Sequence, residues 1–342
     1  MKFENRHSII VATVAAAIAA GAAGTAGAQS YVAQIGHLEA PSQPRHQGLE
    51  RVAELVEERT DGEVAFELYP SSQLGDARAM NEGVQLGTIE GTVSPAAFLG
   101  GFNPAVSILD IPYLLPTDLE DASEMRQGEF GDAVLETFAE RGFHAVGLWP
   151  NGRKHFTSVN PIADIEDFEG QRFRVMDSAI LIEQFNALNA SAVALPFGEL
   201  YTALQTGVIE GQENPLDTIA TMRFYEVQDY LLVSDHGHME DVILFNPAWW
   251  ESLPAEYQDI IVAAFEEVAP EVEELKETAQ EEALATIREA GLEVEELTDE
   301  EKARMRETMY PRARDAYLEQ AGEEGEALIE LYEEEYARIV GE

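Results

Sequence analysis

The chain has no cysteine and only four lysines among its 342 residues, Lys2, Lys154, Lys276 and Lys302. The first absence excludes disulfides, a thiolate nucleophile and thiolate zinc, so an exported form must be stabilised by packed cores. The second leaves 21 basic side chains against 65 acidic ones, a formal charge of −44 at pH 7. Such a surface repels polyanions, which excludes nucleic acid and anionic lipid as general electrostatic partners. Self-repulsion on this scale is tolerable where salt screens it, the Debye length falling from about 10 Å at 0.1 M to about 3 Å at 1 M. Sparse lysine beside abundant acid therefore reads as a surface suited to a high-salt surrounding. Also missing are a G-x-S-x-G elbow, an H-E-x-x-H pair and a phosphate-cradling glycine loop, the usual sequence grounds for a hydrolase or a nucleotide enzyme.

What is present begins with a basic start at Lys2 and Arg6, an apolar run from Ile9 to Ala20 too short to span a bilayer, and a small-residue site, Ala26-Gly27-Ala28. Residues 1–28 are expected to be a secretory signal peptide, with no membrane insertion after its cleavage. About 310 residues follow, more than one compact domain usually holds, so two lobes are expected.

Gln171 to Met176 alternates as a half-buried strand, and Ala179 to Leu188 carries apolar residues at helical spacing. Ala192–Leu195 and Val208–Ile209 are further apolar runs around a helix over 197–205, with Asn214-Pro215 as a turn. The N-terminal part shows the same order, with a helix over 48–59, a strand over 64–68, a helix over 77–86 and a strand over 88–93. Alternation of this kind specifies an α/β fold whose sheets are mixed, mostly parallel and flanked by helices. A helix is expected over 118–141, then a strand to Trp149, with Pro150-Asn151-Gly152 and the run Asp241–Phe245 as crossovers between lobes. Ala255 to Ala290 reads as a long helix kinked at Pro270, and 323–342 as an amphipathic terminal helix with a solvated acidic face.

Ligands of open α/β sheets bind beyond the carboxyl ends of the strands, where Arg174 with Asp177, and Glu213 with Asn214, are expected. Arg153, Lys154, Arg172 and Arg174 fall within 22 positions of a chain otherwise poor in cations. A guanidinium fork matches a carboxylate, and a charge-assisted bidentate pair is about twice as strong as a neutral hydrogen bond. On the residues alone, Arg174 either takes a solute carboxylate or pairs with a neighbouring acid. Trp149 either stacks on a solute or belongs to a core, and Asp177 either accepts from a solute or caps the next helix. His37, Glu39 and His46 lie in the loop after the first strand, and Ser94 follows the strand over 88–93. Glu39 suits a cationic or zwitterionic solute if it faces one, and is otherwise a solvated loop acid. His236 and His238 with Glu240 and Asp241 raise the alternative of a secreted metal-dependent enzyme, although no third ligand has convincing spacing.

The segment GQRFRV (170–175) followed by ELYTALQTGVIEGQENP (199–215) resembles the signature of the DctP-type solute-binding proteins of TRAP (tripartite ATP-independent periplasmic) transporters. The resemblance extends through YPSSQLGDARAM, IPYLLP and AWWESLPAEYQDIIVAAFEE. It implies a periplasmic, two-lobed binding protein, not an enzyme, with no cofactor. Such a protein would close by hinge motion on a small organic acid and hand it to the small and large membrane subunits; a sensor kinase's solute receptor is the related alternative. It further implies lobes of 29–150 plus about 240–279, and 151–239 plus about 280–342, with a long helix spanning the hinge. Arg174 corresponds to the family's carboxylate clamp, Asn214 to its second polar contact and Phe197 to an aromatic wall, while Arg153 or Lys154 fills a basic position. Ala77, Pro95 and Phe98 stand where sialic-acid binders have charged contacts, which implies a smaller, less hydroxylated solute.

Overall fold

The computed structural model describes residues 30–341, so the expected signal peptide lies outside the described residues. β1 (Tyr31–Gly36), α1 (Pro44–Arg59), β2 (Val64–Tyr69), α2 (Ala77–Leu86) and β3 (Gly91–Pro95) form a parallel unit with β1 in its middle. Asp76 starts α2 by accepting from the Ala79 amide at 2.8 Å, and Gly87 ends it at φ 74°, where a side chain would be strained. Instead of one helix over 118–141 there are two, α3 (Leu119–Gln127) and α4 (Glu129–Glu136), because Gly128 between them is extended.

The chain continues through β4 (His144–Ser158), β5 (Arg172–Val175), α5 (Ala179–Ala187), β6 (Ser191–Ala194), α6 (Leu200–Gln205), β7 (Gly211–Pro215), α7 (Leu216–Thr221), β8 (Tyr230–Val233) and β9 (His238–Phe245). It closes with α8 (Pro247–Ser252), α9 (Ala255–Ala290), β10 (Glu293–Glu296) and α10 (Asp299–Val340). Strands lie in the order β2-β1-β3-β9-β4-β7-β5-β6, with β8 beside β4 and β10 beside β8. Every antiparallel pairing among the described residues involves β4 or β9, and the outer pairings are parallel.

The expected turn at Pro150-Asn151-Gly152 is instead the middle of one 15-residue strand. β4 pairs with β9 over its first part and with β7 and β8 over its last, so the strand itself crosses between the lobes. Register shifts at Ala145/Gly147 and Pro150/Gly152 absorb the proline and the positive φ of Gly152 (111°). Asn214, expected in a turn, likewise lies within β7, opposite His155 of β4.

The second crossing element is α9, 36 residues and about 54 Å long at 1.5 Å per residue. It packs on α1, β4 and α7, touching both halves of the molecule. It runs on through Pro270 without a non-helical residue, whereas α10 is broken at Gly322 (φ 60°, ψ −141°). At the C-terminus α10 contributes to the cores of both halves. Met305 and Met309 share a core with Phe173 and Phe185, while Tyr317, Leu328 and Tyr332 pack with Phe130 and Val134. Tyr332 is fixed there by donating to the Leu114 carbonyl at 2.7 Å. Among the described residues no helix is long and apolar enough to cross a membrane.

Contact between α1 and α9 depends on Gly48, where an added Cβ would come within 2.4 Å of Val272 Cγ2 and 3.3 Å of the Trp149 ring. Gly48→Ala is therefore expected to destabilise the fold by about 1–3 kcal/mol through overpacking, read as a lower urea midpoint at unchanged slope. An unchanged midpoint would contradict the close approach of these helices.

Candidate functional site

β5 and β7 run parallel, and their carboxyl ends open on a cavity between the lobes. Arg174 and Asn214 reach it from those ends, with Phe197 from the turn after β6. Arg174 is 1% exposed, and its Nε and Nη2 both donate to the Leu195 carbonyl, at 3.0 and 2.9 Å. Two bonds to one oxygen fix the guanidinium plane and leave Nη1 without a protein partner among the described residues. Among the described residues no carboxylate lies within salt-bridge distance of it, in contrast to the other buried arginines there, Arg45 and Arg126, which meet Asp241 and Glu240. Burial lowers the Arg174 pKa to about 10, with Glu213 acting weakly the other way, so the group stays charged at neutral pH. Asn214 is buried and oriented by donating to Gln212 Oε1.

Facing this wall, Arg45, Glu39 and Phe98 line the cavity from the first lobe, and Asn151 lines it from β4. Arg45 clamps Asp241 through Nε (2.6 Å) and Nη2 (2.7 Å), and Asn151 donates to the same carboxylate at 2.9 Å. Lys276 of α9 donates to Glu39 Oε1 (2.9 Å), Asn151 Oδ1 (3.1 Å) and Asp217 Oδ2 (3.0 Å), joining three elements at one ammonium. Burial pushes the Glu39 carboxyl upward, but Arg45 and Lys276 outweigh it and hold the group well below the usual carboxylate range. Asp217 moves the other way, raised by burial despite Lys276 and raised further by the Glu39 charge. Glu39 is thus no solvated loop acid.

Arg45 and Asn151 escape a reading of the sequence. The one local signal is that Arg45 occupies the first turn of α1 just after Pro44, where a cation opposes the helix dipole and therefore has another reason to be there. Six expected positions, Trp149, Lys154, Arg153, Ser94, His37 and Asp177, lie elsewhere. Trp149 is 1% exposed in the core of the first lobe, its Nε1 donating to the Phe265 carbonyl at 3.1 Å, so it cannot stack on a solute. Lys154 is buried against Glu213 at 3.1 Å, and Arg153 pairs with Glu277 at 3.1 Å, so neither lines the cavity. Ser94 is buried one residue short of Pro95, which does line it.

His37 is buried with Nε2 3.0 Å from His46 Nδ1, and burial lowers its pKa to about 3. Asp177 lies in a neighbouring outer pocket with Phe98 and Phe197, and the cap of α5 is Ser178, whose Oγ accepts from the Leu181 amide at 3.4 Å. His236 of the metal alternative is committed at both ring nitrogens, to Ser234 Oγ at 2.8 Å and Glu213 Oε2 at 2.7 Å. It also stacks on Phe156 at 3.7 Å, which makes it a core residue. The outer Arg172 pairs with Glu210 and stays exposed.

Fold and cavity together define a two-lobed protein that encloses a small ligand. The chain belongs to the family of bacterial extracellular solute-binding proteins, family 7 (DctP), whose model matches residues 35–320. It is 66% identical, with a TM-score of 0.89, to a TRAP periplasmic solute-binding protein from Desulfovibrio salexigens solved with bound orotic acid, over 90% of this chain and 99% of that one. It is 32% identical to the C4-dicarboxylate-binding periplasmic protein DctP of Rhodobacter capsulatus, over 92% of this chain and 95% of that protein. The ectoine-binding protein of the TeaABC TRAP transporter of Halomonas elongata matches at 27% identity and a TM-score of 0.85, over 90% and 99% of the two chains.

One buried acid beside the site is expected to show in the pH dependence of stability. Burial raises the Asp110 carboxyl to about 7, only partly opposed by the Ser178 hydroxyl that donates to it at 2.7 Å. The folded chain then holds a proton that the unfolded chain releases near pH 4, so this group makes stability fall as pH rises from about 4 to 7. Asp110→Asn should flatten that fall, on the order of 2–4 kcal/mol over the window, as measured by denaturant midpoints at pH 4.5 and 7.5. An unaltered difference between the two midpoints would rule the assignment out.

Proposed function

We propose that this chain captures a small organic acid between its lobes in the periplasm and delivers it to the membrane subunits of a TRAP transporter. The observation that carries the reading is Arg174, a buried, charged guanidinium lining the cavity with no protein carboxylate in salt-bridge distance among the described residues. An uncompensated buried charge is costly, and a solute carboxylate meeting Nη1 supplies the missing partner. Asn214 adds a polar contact on the same wall, and Phe197 and Phe98 offer apolar faces to a flat solute. β4 and α9, which cross between the lobes, are the elements about which the lobes close.

The solute class we favour is a planar, ring-bearing carboxylate of the orotate type. The 66% identical relative was solved with that ligand, and the cavity sets the aromatic faces of Phe98 and Phe197 beside Arg174.

Orotate at 100 times Kd should stabilise the mature protein by about 2.7 kcal/mol, visible as a shift of several degrees in a thermal melt. Arg174→Ala should leave the unliganded melt close to wild type and weaken acid binding by about 2–5 kcal/mol, some 30- to several-thousand-fold. Equal affinity in the variant and the wild type would refute the role of Arg174.

A further inference from the structure

Across the cavity from Arg174, one donor and one acceptor are buried and unused. Arg45 Nη1 has no hydrogen-bond partner, although Nε and Nη2 of the same group are both taken by Asp241. Glu39 Oε2 has none either, although Oε1 is taken by Lys276. The two side chains approach each other at 3.6 Å between Nη2 and Oε1, both are 5% exposed or less, and both line the cavity. A buried polar atom left unpaired is destabilising. Two of opposite kind on adjacent groups call for a ligand edge with an N–H beside a C=O.

We propose that Glu39 and Arg45 are the specificity-determining pair of this site, reading the cis-amide edge of a lactam or imide ring that carries its carboxylate on the opposite side. Glu39 Oε2 accepts from the ring N–H, and Arg45 Nη1 donates to the neighbouring ring carbonyl. In orotate the imide N3–H, flanked by two carbonyls, lies across the ring from the carboxylate, so one molecule spans from Arg174 to this pair. The same pair discriminates against aliphatic dicarboxylates. Their second carboxylate has no N–H to offer and would stand against the Glu39 charge in a desolvated site. The buried group around it already holds three carboxylates, Glu39, Asp217 and Asp241, to two cations, Arg45 and Lys276. This inference rests on the carboxylate reading of Arg174 and specifies what the rest of the solute must present.

The test is calorimetric titration of the wild-type protein with orotate, N3-methylorotate and succinate, repeated on Glu39→Gln. Blocking the imide N–H should weaken binding to the wild type about 10- to 100-fold, and succinate should bind more weakly still. Glu39→Gln should weaken orotate and strengthen succinate, shifting the affinity ratio of the two by at least about 10-fold. A merely structural role would lower both affinities together, and that result overturns the proposal. If the variant does not fold, the ligand series on the wild type decides. Equal affinity for orotate and its N3-methyl form, or succinate bound and orotate not, overturns the edge reading and leaves the carboxylate reading standing. Absence of binding by every acid overturns both.

Discussion

The ammonium of Lys276 is the point on which the arrangement of the interlobe region depends. It is 1% exposed, and its three hydrogen bonds go to Glu39 after β1, Asn151 in β4 and Asp217 in α7, separated from it by 237, 125 and 59 residues. A buried ammonium is tolerated only where acceptors surround it. The requirement therefore holds both lobes, the crossing strand and the crossing helix in one geometry. Asn151 passes the constraint on by donating to Asp241, which anchors Arg45. The cavity wall opposite Arg174 is in this way tied to β4 and α9, the elements that cross between the lobes.

The overall charge poses a problem that the site resolves locally. A chain at −44 repels an anionic solute at long range, and salt screens that repulsion beyond a Debye length, about 10 Å at 0.1 M and about 3 Å at 1 M. Inside the cavity the balance is different, because Arg174 is desolvated and unpaired. There a single guanidinium acts at short range in a low effective dielectric, where its attraction for a carboxylate is several-fold stronger than in water. Selection by a buried donor is compatible with an acidic exterior in a way that steering by a basic surface is not.

Relatives at about 30% identity carry the names of dicarboxylate and ectoine binders, so the fold serves solutes of different chemistry. In this chain a frame of strand ends places Arg174 and Asn214 at the cavity. The opposite wall is built from the loop after β1 and the start of α1, outside both sheets.

Strand and helix periodicity made the βαβ order of both halves legible, since burial on one face dictates spacing locally. The same local logic expected Arg174 and Asn214 at strand ends, while Phe197 came only from the family resemblance. What could not be read was whether a given side chain finds its partner in the protein or leaves it to a solute. Trp149, Lys154 and Arg153 look as available as Arg174 in the sequence, yet Phe265, Glu213 and Glu277 occupy them. Arg45 and Asn151 look unremarkable, yet Asp241 and Lys276 hold them at the cavity. By itself the sequence determined the alternation of elements, the family signature and the strand-end position of Arg174, all of which depend on neighbours within a few residues. Only the tertiary structure decided which polar groups are satisfied and which are left for a ligand, because those partners lie roughly 60 to 240 residues away and meet only when β4 and α9 bring the lobes together.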